Sequence, residues 1–389
     1  MAISETSLPH TSEANQDGKA APIKPNIVLI VADDMGYSDV GCFGGEIDTP
    51  NLDRLGYKGI RFSHMYNAAR CCPSRASLLT GLHPHQTGVG HLTYDLGHPA
   101  YHGSLNDRCV TLAEVLRSAG YATLMSGKWH VTGAYPSGRE GQTPLEWGFE
   151  RWFGTLGGAG SYYDPPGLCD DGEPVQLLDR PFYYTDAISD RAVELIDAYC
   201  AGPRPFFLYV AYTAPHWPLH ALAEDIERYR GRYRRGWDAT RTARHERLKG
   251  MGILDPRWDI SARDELAPPW PEAPHHDWED ARMATYAAQV DRMDQGVGRI
   301  VSALERRGVR EDTLILFLSD NGGCAEFLRE DGHLERPQDR TRDGRPVRTG
   351  NVPGMLPGPD DTFMSYGLAW ANVSNAPFRL YKHWVHEGG

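Results

Sequence analysis

Four short apolar runs, Pro25–Ala32, Tyr121–Ser126, Pro205–Tyr212 and Thr313–Ser319, constrain the fold of this chain more than anything else in it. None alternates apolar with polar residues, so neither face of these segments is written for water. Continuous β-branched and aromatic runs of this length read as strands buried on both sides in a parallel sheet. Helical patterns separate them. Thr111-Leu112-Ala113-Glu114 is a capping box opening a helix that closes at Gly120, and Thr185–Tyr199 reads as a second helix. Ala281–Arg307 places Met283, Val290, Val297 and Leu304 on one face of a third. This alternation predicts an α/β fold with a largely parallel central sheet sandwiched by helices. Shorter signals predict a capped helix at Thr49–Leu55, a strand at Ile60–Tyr66, and irregular loops over Trp147–Gly172 and Cys324–Gly358.

Bulk properties narrow the function classes. A net charge of −12 argues against a nucleic-acid partner. It does not exclude an anionic small molecule, because local cations outweigh a diffuse field at contact distance. No apolar run approaches membrane-spanning length, so no membrane partner is expected. Residues 1–25 are polar and lack an apolar core flanked by basic residues, which predicts a disordered leader rather than a secretory signal. The seven cysteines are scattered and odd in number, the pattern of reduced thiols in a cytoplasmic protein. The Arg-rich run 228–249 and the His275-His276-Asp277 cluster are expected to be solvated surface.

Chemistry-bearing residues gather at the strand ends. Asp33-Asp34 follows the first run, Gly127-Lys128-Trp129-His130 the second, His216 the third and Asp320-Asn321 the fourth. Each has an ordinary explanation alone, a solvated turn or a surface histidine. Parallel strands, however, bring all their carboxyl ends to one edge, where open α/β sheets bind ligands. Three carboxylates and an amide oxygen form an all-oxygen set suited to Ca²⁺ rather than Mg²⁺ or Mn²⁺. A fifth element joins them, the stretch Asn67–Gly81. Pro73 suits the first helical position and Gly81 a stop, which sets Cys71 and Cys72 at the positive end of a helix dipole with Arg75 a turn away.

The run Cys71-Cys72-Pro73-Ser74-Arg75, followed by Leu78-Leu79-Thr80-Gly81, resembles the signature of the type I sulfatases of the alkaline phosphatase superfamily. The likeness extends from Asn26 to the last residue. It is strongest around Asp33, Cys71, Lys128, His216, Asp320 and the closing Phe378–Gly389 segment. Asn106-Asp107-Arg108-Cys109 and Tyr163-Asp164-Pro165-Pro166-Gly167 make it most similar to bacterial arylsulfatases. The resemblance implies that a formylglycine-generating maturation enzyme oxidises Cys71 to Cα-formylglycine. It implies that Asp33, Asp34, Asp320 and Asn321, with an oxygen of the modified Cys71, bind Ca²⁺. Arg75 and Lys128 would hold the formylglycine hydrate, His130 would act on it, and His216 with Lys382 would face the sulfate and the leaving oxygen.

The implied reaction is hydrolysis of a small-molecule sulfate ester by residues 26–389, releasing sulfate and an alcohol or phenol. Family members continue past Glu387-Gly388-Gly389 into a smaller antiparallel C-terminal subdomain, which the resemblance implies is missing here. Two other readings stay open: a phosphonate monoester or phosphodiester hydrolase of the same superfamily, and a truncated, unmatured, non-catalytic chain. Cys72, at the variable position of the motif, is a second thiol open to disulfide formation or to modification in place of Cys71, and spacing to Pro73 and Arg75 favours Cys71.

Overall fold

A computed structural model describes residues 24–133, 142–177, 181–330 and 338–389. The expected leader 1–25 lies outside the described residues except for its last two. Seven strands form the main sheet: β1 (Asn26–Ala32), β2 (Ala122–Lys128), β3 (Arg151–Thr155), β4 (Cys169–Asp170), β5 (Glu173–Pro174), β6 (Phe206–Ala211) and β7 (Thr313–Ser319). Their order is β5-β4-β3-β2-β6-β1-β7. The five strands from β3 to β7 are parallel, and β4 and β5 add an antiparallel edge. A separate parallel pair joins β8 (Arg348–Thr349) to β9 (Thr362–Phe363).

The continuous apolar runs are explained by burial on both faces. Along β1, Val28, Ile30 and Ala32 pack into one core with the helices Tyr184–Tyr199 and His276–Arg306. Leu29 and Val31 face a second core that includes Ala76 and Leu79 of the helix Cys71–Thr80. Strand β6 divides likewise, with Leu208 and Val210 on one side and Phe207 and Tyr209 on the other. At the β7 edge the cover thins, and Leu314 and Leu316 are 49 % and 39 % exposed.

Register levels the carboxyl ends. Ala32 pairs with Ser319, Val31 with Ala211, and Ala211 with Gly127. The residues that follow, Asp33, Asp320, Tyr212 and Lys128, therefore start from one line. Gly127 makes this possible: its φ is 116°, and a Cβ there would stand 2.0 Å from the Ala211 carbonyl oxygen.

Several local expectations are corrected. Ile60–Tyr66 forms no strand; Ile60 and Tyr66 are 81 % and 86 % exposed, and no strand among the described residues pairs with them. Trp147–Gly172 is not wholly irregular, since it contributes β3 and β4. The Cys71 helix begins two residues before Pro73, with Arg70 as an extended N-cap; proline is tolerated there because the first four helical N–H groups have no internal acceptor.

The Arg-rich run is the largest correction, because the helix Gly236–Gly250 buries Arg244 completely. Arg244 binds Asp39 Oδ1 at 2.6 Å and both oxygens of Glu46, at 2.9 and 2.8 Å, clamping the loop after β1. Burial works to raise the Glu46 carboxyl, but Arg244 outweighs it and holds the value at about 2, against an ordinary 4.5. A carboxyl depressed in the folded state stabilises it above the unfolded value and loses that contribution as the pH falls. The loss here, on the order of 3 kcal/mol, falls between pH 4.5 and about 2. Denaturant titrations at a series of pH values should show Glu46→Gln losing less stability than wild type across that window. Parallel losses would contradict it.

Candidate active site

Each group at the sheet edge is fixed by its own element. Asp33 and Asp34 leave β1 fully buried, and Asp34 takes a left-handed φ of 64°, a conformation that costs a non-glycine residue energy and that marks many functional sites. Asp320 and Asn321 leave β7 beside them. Asp34 N donates to Asp320 Oδ1 at 3.4 Å, and Asn321 Nδ2 donates to Asp34 Oδ1 at 2.7 Å.

Three buried cations face the three acids. Arg75, one turn into the Cys71 helix, donates through Nε to Asp320 Oδ2 at 2.7 Å and lies 3.7 Å from Asp33 Oδ2. Its Nη1 donates to the Lys128 carbonyl at 3.1 Å. Lys128 Nζ donates to Asp33 Oδ2. Lys382 Nζ reaches both oxygens of Asp34, at 2.8 and 3.0 Å, and lies 3.3 Å from His216 Nε2. His216 Nδ1 is 2.6 Å from the Trp217 carbonyl, which can only accept, so Nδ1 carries the proton and Nε2 is left to face Lys382 and Asp34 Oδ2.

The carboxyls divide electrostatically. Burial alone would raise Asp33, but Lys128, His216 and Arg75 bring it below the ordinary value. Burial and the neighbouring Asp33 push Asp320 well above it. Two oxygens, Asp33 Oδ1 and Asn321 Oδ1, are buried with no hydrogen-bond partner among the described residues. Orphaned oxygens beside an overloaded carboxylate set fit a hard cation, which would satisfy both and let every acid ionise. Asp33, Asp34 and His216 also bring possible ligand atoms within 4.8 Å of one another.

Cys71 and Cys72 occupy the first turn of their helix, both buried, and with His130 they bring Sγ and ring nitrogen atoms within 4.8 Å of one another. A hydrogen bond with the Cys72 thiol, then Lys128, His130 and Lys382, bring the Cys71 thiol well below its ordinary value against the opposing effect of burial. Burial, and then the same pairing, push Cys72 well above it. His130 Nε2 sits 3.2 Å from Cys72 Sγ, its φ is 51°, and burial lowers its basicity.

All of Asp33, Asp34, Cys71, Arg75, Lys128, His130, His216, Asp320, Asn321 and Lys382 thus meet at one edge. Sequence reasoning missed the surroundings that hold them. Gly158, from the Gly-rich loop after β3, abuts the His130 ring, and Tyr162 Oη donates to the carbonyls of Thr213 and His216, both at 2.8 Å. The loop's glycine content was the available signal, and Gly157–Ser161 do line a small cavity.

Comparison with known proteins agrees with this geometry. The sulfatase family model matches residues 25–345. An arylsulfatase of Klebsiella aerogenes is 37 % identical over 92 % of this chain and 77 % of its own length. An uncharacterized sulfatase of Schizosaccharomyces pombe is 34 % identical over 94 % of this chain and 68 % of its own. Mouse arylsulfatase J is 30 % identical over 80 % of this chain, which spans 45 % of it. Among solved structures, Ps i-CgsB in complex with k-i-k-neocarrahexaose superposes with a TM-score of 0.57 at 28 % identity, covering 90 % of this chain and 70 % of that one.

A Cβ on Gly158 would lie 2.3 Å from His130 Cε1 and 2.5 Å from Nε2. Gly158→Ala should therefore drive the imidazole away from Cys72 Sγ, past about 4 Å, outside hydrogen-bonding reach of sulfur. A crystal structure of the variant checks this, and an unmoved ring would contradict it.

Proposed function

This chain belongs to the sulfatase family, whose members are sulfuric ester hydrolases, and from that premise we propose that it is an arylsulfatase-type enzyme acting through formylglycine made from Cys71. The observation that carries this reading is the burial of Cys71 on a helix N-terminus amid Arg75, Lys128, His130 and the four oxygen-bearing residues. A formylglycine-generating enzyme is the partner this requires. Buried free thiols at Cys42, Cys109 and Cys324 support a reducing, cytoplasmic setting for it.

As its hydrate, formylglycine supplies one hydroxyl to attack sulfur and a second whose deprotonation releases sulfate, a second step that a thiol lacks. Ca²⁺, held by Asp33, Asp34, Asp320 and Asn321, would supply Lewis acidity and charge neutralisation. The chain's own groups do the rest. Arg75 and Lys128 orient residue 71. His216 Nε2 takes a proton from Lys382 Nζ, 3.3 Å away, and passes it to the departing oxygen, so the pair together acts as the acid. His130, on the sulfur-bearing side, takes the proton from the second hydroxyl. Lys382 also offers positive charge to the sulfate. The substrate is a small sulfate ester with an alcohol or phenol leaving group.

The test is chemical and kinetic together. Protein coexpressed with a maturation enzyme should carry an aldehyde in the Cys71 peptide by mass spectrometry and should hydrolyse 4-nitrophenyl sulfate. Cys71→Ala should lose about 10³-fold or more in kcat at an unchanged melting temperature. Turnover by protein that retains the Cys71 thiol, or cleavage of an aryl phosphonate monoester but no sulfate ester by aldehyde-bearing protein, would contradict the proposal.

A further inference from the structure

Arg70 is half-buried, immediately precedes Cys71, and no hydrogen bond or ion pair engages its guanidinium among the described residues. Most arginines of this protein are paired, including Arg75, Arg244 and Arg292 within the body of the fold. A partly desolvated cation with no acid beside it loses hydration without compensation, so its place needs another explanation. Its surroundings supply one. His383 N donates to the Ala69 carbonyl at 2.6 Å, which lays the segment Lys382–His383 alongside Ala69–Cys71. Cys71 and Lys382 turn into the buried site while Arg70 and His383 lie outside them. Arg70 and His383 therefore stand on the rim over the reactive residue.

Burial, with the Arg70 charge added to it, lowers the basicity of both His383 and His91, which leaves Arg70 as the permanent cation here. An acid, Glu326, also acts on His383, but its carboxylate accepts from Trp217 Nε1 at 2.8 Å and lies in the field of Lys382 and His216.

We propose that Arg70, with His383 beside it, is an anion subsite at the mouth of the active site, selecting sulfate esters that carry a second anionic group, a sulfate or a carboxylate, next to the scissile sulfate. The subsite rests on the sulfatase reading for its substrate, and not for its ability to bind. The guanidinium offers a bidentate fork to either anion, while Lys382 and Arg75 are engaged by the inner acids and by the scissile group.

The experiment compares matured wild type with Arg70→Gln and Arg70→Lys on phenyl sulfate, 2-carboxyphenyl sulfate and catechol disulfate. Calorimetric binding of catechol disulfate is measured alongside. Arg70→Gln should raise KM about tenfold for the two substrates with a second charge, leave kcat in place, and change phenyl sulfate by no more than about twofold; Arg70→Lys should recover part of the loss. The two dianionic arms show whether sulfate or carboxylate is preferred. Equal effects on all three substrates, or none, overturn the subsite. Wild type that turns over no substrate yet binds catechol disulfate in an Arg70-dependent way overturns the sulfatase reading and upholds the subsite. Failure to bind as well overturns both.

Discussion

One buried guanidinium holds the two halves of the site together. Arg75 grips Asp320 through Nε, lies against Asp33, and donates to the backbone of Lys128, so the ends of β1, β2 and β7 share one cation. A charge buried this deeply costs several kcal/mol unless its partners are in place, and the acids it serves bear the same penalty. The arrangement is consequently cooperative: the site forms when strand register levels those ends, and the sheet edge is tolerable only because the charges meet. Even so, balance is incomplete. Asp320 is driven towards its neutral form while Asp33 and Asn321 each keep an oxygen unpaired.

Much of this was legible in the sequence because the relevant signals are local. Uninterrupted apolar runs betray strands covered on both sides, and the polar pairs that end them mark where a parallel sheet presents ligands. The Cys71–Gly81 stretch carries its own stop at Gly81 and its own cation spacing. What escaped notice depends on contacts between distant segments. Nothing in the periodicity of 228–249 distinguishes the buried Arg241 and Arg244 from exposed arginines such as Arg230 and Arg234, because the Arg244 partners Asp39 and Glu46 lie some 200 residues earlier. Ile60–Tyr66 has strand-like composition but no edge within reach. The closeness of Gly158 to His130 joins two loops whose approach no single-segment pattern encodes.

The two sulfurs of the first helical turn are in unequal circumstances. Cys71 is surrounded by cations that favour its charged form, whereas Cys72 is held neutral and contacts His130. That asymmetry supports the proposal that Cys71, rather than Cys72, is the residue converted. His130 contacts Cys72 Sγ at 3.2 Å and keeps a ring nitrogen within 4.8 Å of Cys71 Sγ.

The central claim is that Asp33, Asp34, Asp320 and Asn321 present their oxygens to one divalent ion. Calorimetric titration of Ca²⁺ into chelator-treated protein tests it most directly, with Asp34→Asn and Asp320→Asn run in parallel. One ion bound per chain in wild type, with binding lost or strongly weakened in both variants, is the expected result. No saturable binding to wild type, or undiminished binding in the variants, would contradict it.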